Sequence, residues 1–152
     1  MNRLHPRIRL VWILRAVALA VVVGAVGVGL AVFFEVSPRL PIGLALVVVV
    51  VGVVHAVLRY RNWRYVVRED AIYLERGVLT EVRTEVPLVR IQHVDSRRSA
   101  FERLVGLART VVYTAGSRGA DVTIPGLTPG DADGLRTRLK RLVIDTDGED
   151  AV

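Results

Sequence analysis

Two apolar runs, Ala16–Phe34 and Leu40–Leu58, constrain this chain more than anything else in it. Each is 19 residues long and neither contains Asp, Glu, Lys or Arg. As helices rising ~1.5 Å per residue, they cover nearly all of a hydrocarbon layer ~30 Å thick. A core helix of a soluble domain would show a polar face with a 3.6-residue period, and these runs are apolar all round. They predict a transmembrane helical hairpin, turned at Glu35-Val36-Ser37-Pro38-Arg39.

The formal net charge of +6 admits two explanations, nucleic-acid binding or membrane topology. Its distribution favours topology. Arg3, Arg7, Arg9 and Arg15 precede the first run, and Arg59, Arg61, Arg64 and Arg68 follow the second. The connecting loop carries only Arg39 against Glu35. The positive-inside rule then predicts a two-span protein of the cell membrane with both termini cytoplasmic. Trp12, Tyr60 and Trp63 stand where an interfacial aromatic belt belongs. A cleaved signal peptide would also begin with basic residues and could use Ala18-Leu19-Ala20. The run is longer than a usual signal core and a second span follows at once, so retention is expected. With no cysteine, disulfides, thiolate metal sites and a Cys nucleophile are excluded.

Small residues recur at Ala16, Ala20 and Gly24, at Ala25 and Gly29, and at Gly52 and Ala56. Such spacing packs helices closely, either within one hairpin or against a partner's helices. Residues 1–15 read as a basic cytoplasmic arm, 16–58 as the hairpin, 59–144 as a cytoplasmic domain, and 145–152 as an acidic, disordered tail.

Within the domain, Trp63–Val67, Ala71–Glu75, Leu79–Val86 and Val89–Ser96 read as strands. In the third, Val82, Thr84 and Val86 alternate with Glu81, Arg83 and Glu85, the period of a half-buried strand that Pro87 either ends or marks as an edge. Ala100–Val105 reads as a helical turn closed by Gly106. Arg109–Ala115 and Ala120–Ile124 read as a hairpin around Gly116-Ser117-Arg118-Gly119. A final helix begins at Thr128-Pro129, with Asp131 near its positive end and an apolar stripe of Ala132, Leu135, Leu139 and Leu142. The expected fold is an α+β membrane protein: the hairpin, then an antiparallel β-sandwich or open barrel with a C-terminal amphipathic helix.

On these residues the chain resembles the prokaryotic membrane-flanked PH-like domain proteins, of the small YdbS-like type. The resemblance runs through Leu4-His5-Pro6, both spans, Trp63-Arg64-Tyr65, Gly77-Val78-Leu79, Phe101–Leu107 and Tyr113-Thr114-Ala115-Gly116. Its most specific stretch is Pro87-Leu88-Val89-Arg90-Ile91-Gln92-His93-Val94. The resemblance implies a bacterial pleckstrin-homology-like domain tethered to the membrane, with no known enzymatic reaction and no implied phosphoinositide ligand.

Catalytic constellations are scarce. His5, His55 and His93 have no metal-ligand spacing, and His93 with Asp95 on alternate positions of one strand reads as a structural pair. Ser117 lacks a nucleophile-elbow context. Asp131-Ala132-Asp133-Gly134 and Asp145-Thr146-Asp147-Gly148 start like calcium loops, but neither supplies the Glu at loop position 12. No enzyme activity, cofactor or metal is expected. The candidate contact residues are Arg90, Gln92, Arg97, Arg98 and Arg103, with Glu81, Glu85, Asp95 and Glu102 as available ion-pair partners. Two functions follow. One is a non-catalytic scaffold that binds a membrane-protein partner, such as a larger protein with the same domain, or another copy of itself. The other is a binder of anionic lipid headgroups through an Arg-rich surface.

Overall fold

The computed structural model describes residues 1–116 and 121–149. Helices α1 (Ile8–Phe33) and α2 (Arg39–Asn62) form the antiparallel hairpin. Both are long and apolar enough to cross a membrane, and only 11% and 6% of their most apolar windows is buried. A core helix of a soluble domain would be mostly covered. Glu35, at φ 58°, makes the reversal, and the amide of Val36 returns to the carbonyl of Ala31 at 2.8 Å.

Small residues hold the helices together. Gly52 faces Ala16, and a Cβ on Gly24 would meet that of Ala45 at 3.2 Å. Ala20 and Ala56 are buried. Gly29, by contrast, has no side chain opposite it, and Ala25 is exposed. Where the charge-free runs end, Arg59 lies over the Trp12 ring at 4.5 Å and Arg9 over the Tyr60 ring at 4.9 Å. These stacks pair each cation with an aromatic face.

Only Trp63, in extended conformation, separates α2 from β2 (Arg64–Val67). The strands β1 (Asn2–Arg3), β2, β3 (Ala71–Arg76) and β4 (Val82–Pro87) form one antiparallel sheet in that order. The strands β5 (Ile91–Arg97), β6 (Ala108–Thr114) and β7 (Val122–Leu127) form the second. Between β5 and β6 stands the short helix α3 (Ala100–Leu104), and the chain ends in α4 (Pro129–Glu149). The sheets face each other through Val67, Ile72, Leu74 and Val86 on one side and Ile91, Val112 and Ile124 on the other. Ala132 and Leu139 of α4 seal the core, with Leu135 and Leu142 packed beside them. The buried Thr110 hydroxyl donates to the Ala132 carbonyl at 3.4 Å and ties α4 to β6.

The α+β architecture expected from the sequence is present. β4 begins at Val82 rather than at the expected Leu79, because Gly77, at φ 125°, turns the chain and leaves residues 78–81 in the β3–β4 connection. Three further differences concern other segments. Val89 and Arg90 are not strand: Leu88–Arg90 form a 3-10 turn, because the Leu88 amide bonds the Asp70 carbonyl at 3.0 Å and swings the Leu88 side chain into the core. Residues 145–149, expected to be disordered, continue α4. No proline or tertiary barrier stops the helix, its acidic residues cost only a few tenths of a kcal/mol each, and the Thr146 hydroxyl bonds the Leu142 carbonyl at 2.8 Å. Residues 150–152 of that tail, Ser117, Arg118 and Gly119 of the β6–β7 turn, and Ala120, the first residue of the strand expected there, lie outside the described residues.

The third difference concerns the N-terminal arm, which belongs to the domain's core. β1 pairs with β2, the His5 amide bonds the Gly126 carbonyl at 2.7 Å, and Leu4, Ile8, Val11 and Trp12 are buried. The arm thus links the edge of the first sheet to β7 and closes one corner of the sandwich. Gly126 makes this possible: its φ is 66°, and a Cβ there would lie 3.0 Å from the Cβ of Ile8 and 3.1 Å from that of Leu4.

Candidate functional site

The five residues singled out from the sequence separate into two groups. Arg90 ends the 3-10 turn, with its carbonyl accepting from the Ala115 amide at 2.7 Å, and Gln92 follows on β5. Arg97 closes the other end of that strand, ~20 Å away at ~3.3 Å per residue, and Arg98 and Arg103 lie beyond it. Two of these arginines are engaged. Arg97 pairs with Asp95 at 3.3 Å and lies over the Tyr113 ring at 5.5 Å. Arg98 donates to the Leu107 carbonyl at 3.0 Å. Glu102 does not serve the cluster: it is buried, caps α3 reciprocally with Ser99, and pairs with Arg109 at 2.9 Å. His93 stacks on Tyr113, ring centroids 4.2 Å apart, rather than orienting Asp95.

The register of β5 against β6 slips between Ile91 and His93. This bulge breaks the alternation, so Ile91 points into the core while both Gln92 and His93 are exposed. They stand at an open margin, for β5 has a strand neighbour on one side only. α4 passes that margin and leaves a cleft of about 580 Å³ between helix and strand. Ile91, Val94, Val143 and Ile144 make its apolar surface. Arg136, Thr137 and Lys140 edge it from the helix, and no carboxylate pairs with Arg136 or Lys140 among the described residues. Their four-residue spacing puts both cations on one helix face. That spacing was readable in the sequence, but not that the face borders β5.

A larger cleft, about 730 Å³, lies between the N-terminal arm and α4 and includes Tyr65 and Arg138. Burial, with the Asp131 carboxylate nearby, raises the Tyr65 phenol above its usual range, so it stays a neutral hydrogen-bonding group in the seam that holds the arm. Among the described residues no group of three or more His, Cys, Asp or Glu could hold a metal. What the β5–α4 cleft offers is binding chemistry: a strand edge with no strand neighbour, an apolar floor and two cations with no carboxylate partner among the described residues.

The bacterial PH domain family profile matches residues 10–143. The chain is also 35% identical over 92 residues to the UPF0699 transmembrane protein YdbS of Bacillus subtilis (strain 168). That match covers 60% of this chain and 56% of the relative, so the chain spans little more than half of it. No solved structure matches. With a transmembrane hairpin, a seven-stranded sandwich closed by a C-terminal helix, and a family match over most of its length, this chain belongs to the bacterial PH domain family.

Proposed function

We propose that this protein is a membrane-anchored, non-catalytic adaptor that holds an extended segment of another membrane protein, or of a second copy, in the β5–α4 cleft at the cytoplasmic face. The observation that carries the reading is the unpaired edge of β5 beside an apolar cleft rimmed by Arg136 and Lys140. An incoming strand would satisfy the open backbone groups, apolar side chains would fill the floor, and an acidic residue would meet the two cations. The arginine-rich flanks of the hairpin, against a loop holding Arg39 and Glu35, argue for cytoplasmic termini.

The test is site-specific photocrosslinking of the full-length protein in its native membranes. A crosslinker at Gln92 or Thr137 should capture one defined partner through an extended acidic segment, and Arg136→Glu with Lys140→Glu should abolish the product. A crosslinker at the exposed Glu69, on the β2–β3 turn, is the control. The same products from groove and control positions, or indifference to charge reversal, would refute the reading.

A further inference from the structure

The turn between β3 and β4 carries an apolar residue that none of the described residues covers. Leu79 is 99% exposed. The turn cannot drift from the membrane, because the Asn62 side-chain amide at the end of α2 bonds the Gly77 carbonyl at 3.0 Å. Gly77, at φ 125°, fixes its path, since any Cβ there would collide with the Thr80 carbonyl. Asn62 comes four residues after Leu58, the last residue of the charge-free run, or ~6 Å along a helix. The headgroup layer is roughly 5–8 Å deep on each side, so Asn62 and the turn lie at headgroup level.

The charges around the turn fit the same depth. Arg61, Arg64 and Arg76 line a cleft of about 330 Å³ with Glu75 and Glu81. Arg83 occupies both carboxylates, at 2.8 Å from Glu81 and 3.8 Å from Glu75, and no other ion pair forms there among the described residues. Guanidinium groups that have no carboxylate partner among the described residues, lining a cleft with Val78 next to the tip residue Leu79 and beside a membrane helix, match phosphate headgroups above acyl chains.

We infer that the β3–β4 turn is a lipid-binding site, with Leu79 inserted at the bilayer interface and Arg61, Arg64 and Arg76 holding anionic phospholipid headgroups. This site is separate from the β5–α4 cleft and orients the domain with the β3–β4 end against the bilayer. The β2–β3 turn, at the other end of the six-residue strand β3, then stands ~20 Å further from it.

The chain has no cysteine, so a single introduced one takes a unique nitroxide label. Full-length Leu79→Cys and Glu69→Cys would be labelled and reconstituted in zwitterionic vesicles with and without anionic phospholipid. Collision rates with oxygen and with a water-soluble nickel chelate report depth, and tryptophan emission confirms folding. In anionic vesicles the label at position 79 should meet the nickel probe about tenfold less than at position 69, the bias that burying a leucine-sized apolar group supplies. Replacing Arg61, Arg64 and Arg76 with Ser should move position 79 back toward the aqueous value, as should omitting the anionic lipid. Equal nickel accessibility at the two positions overturns the site. Indifference to both the arginine changes and lipid charge overturns its headgroup component.

Discussion

Gly126→Ala is the most demanding test of how the arm and domain are joined. The backbone there has φ 66°, where an L side chain costs about 1–2 kcal/mol. The new methyl would lie 3.0 Å from the Cβ of Ile8 and 3.1 Å from that of Leu4, against an ordinary carbon–carbon separation of ~3.5–4.0 Å. β7 is held by its pairing with β6, so the arm must yield. Moving it stretches the 2.7 Å bond from the His5 amide and uncovers part of Leu4 and Ile8, each worth about 1.5–3 kcal/mol when fully buried. We expect a total loss of about 2–4 kcal/mol, since only part of that burial is forfeited. Trp12 and Trp63 are the chain's two tryptophans, and both are buried at this junction, so their emission reads it directly. Urea unfolding of the detergent-solubilised full chain should show the lowered midpoint, and amide exchange should show lost protection at His5. Gly134→Ala, on α4 with open space around it, is the matched control and should be neutral or stabilise by up to about 1 kcal/mol. A Gly126→Ala protein within about 0.5 kcal/mol of wild type, with His5 still protected, refutes the packing argument.

Three further outcomes follow from other contacts. Glu102→Ala should cost about 3 kcal/mol in the same unfolding assay, the low end for a broken buried ion pair because the Arg109 side chain is still 29% exposed; Ser99→Ala should lose only about 1 kcal/mol. Gly52→Leu drives a side chain into Ala16 and should widen the hairpin, read as an increased nitroxide distance between α1 and α2, whereas Gly29→Leu meets open space and should not. The Tyr73 hydroxyl bonds Asp70 at 3.0 Å and holds that carboxyl below its ordinary value of 3.8, so this contribution to stability is present above pH 3.8 and disappears as pH falls through the lowered value. The same bond raises the Tyr73 phenol above 10.0, so its contribution is whole below pH 10.0 and is lost as pH rises through the raised value. Tyr73→Phe should flatten both limbs of the unfolding-against-pH curve.

Much of the architecture could be read from residue order because its causes are local. A charge-free run long enough to span lipid has few alternatives, and Ala16–Phe34 and Leu40–Leu58 became the hairpin. Thr128-Pro129-Gly130-Asp131 started α4, where the Asp131 amide bonds the Thr128 hydroxyl oxygen at 3.1 Å. Alternation marked β4. The cap of α3 by Ser99 and Glu102 is just as local, yet in the sequence Glu102 reads as available to the arginine cluster instead.

The contact surfaces were a different matter. Nothing near Gln92 in the sequence says that a bulge would expose both it and His93, or that Arg136 and Lys140, more than 40 residues later, would border the same cleft. Leu4 and Ile8 stand among arginines and look like a cationic flank until β7 brings Gly126 beneath them. Arg61 and Arg64 read as topology signals, and only the closing of the β3–β4 turn onto Asn62 adds Arg76 and an exposed Leu79 beside them. The sequence alone determined the partition between lipid and water and the order of strands and helices, because hydropathy and backbone preference act over a few residues at a time. Tertiary structure decided which cations lack partners, which strand edge stays open and where the arm goes, because those depend on groups that meet only when the sheets close.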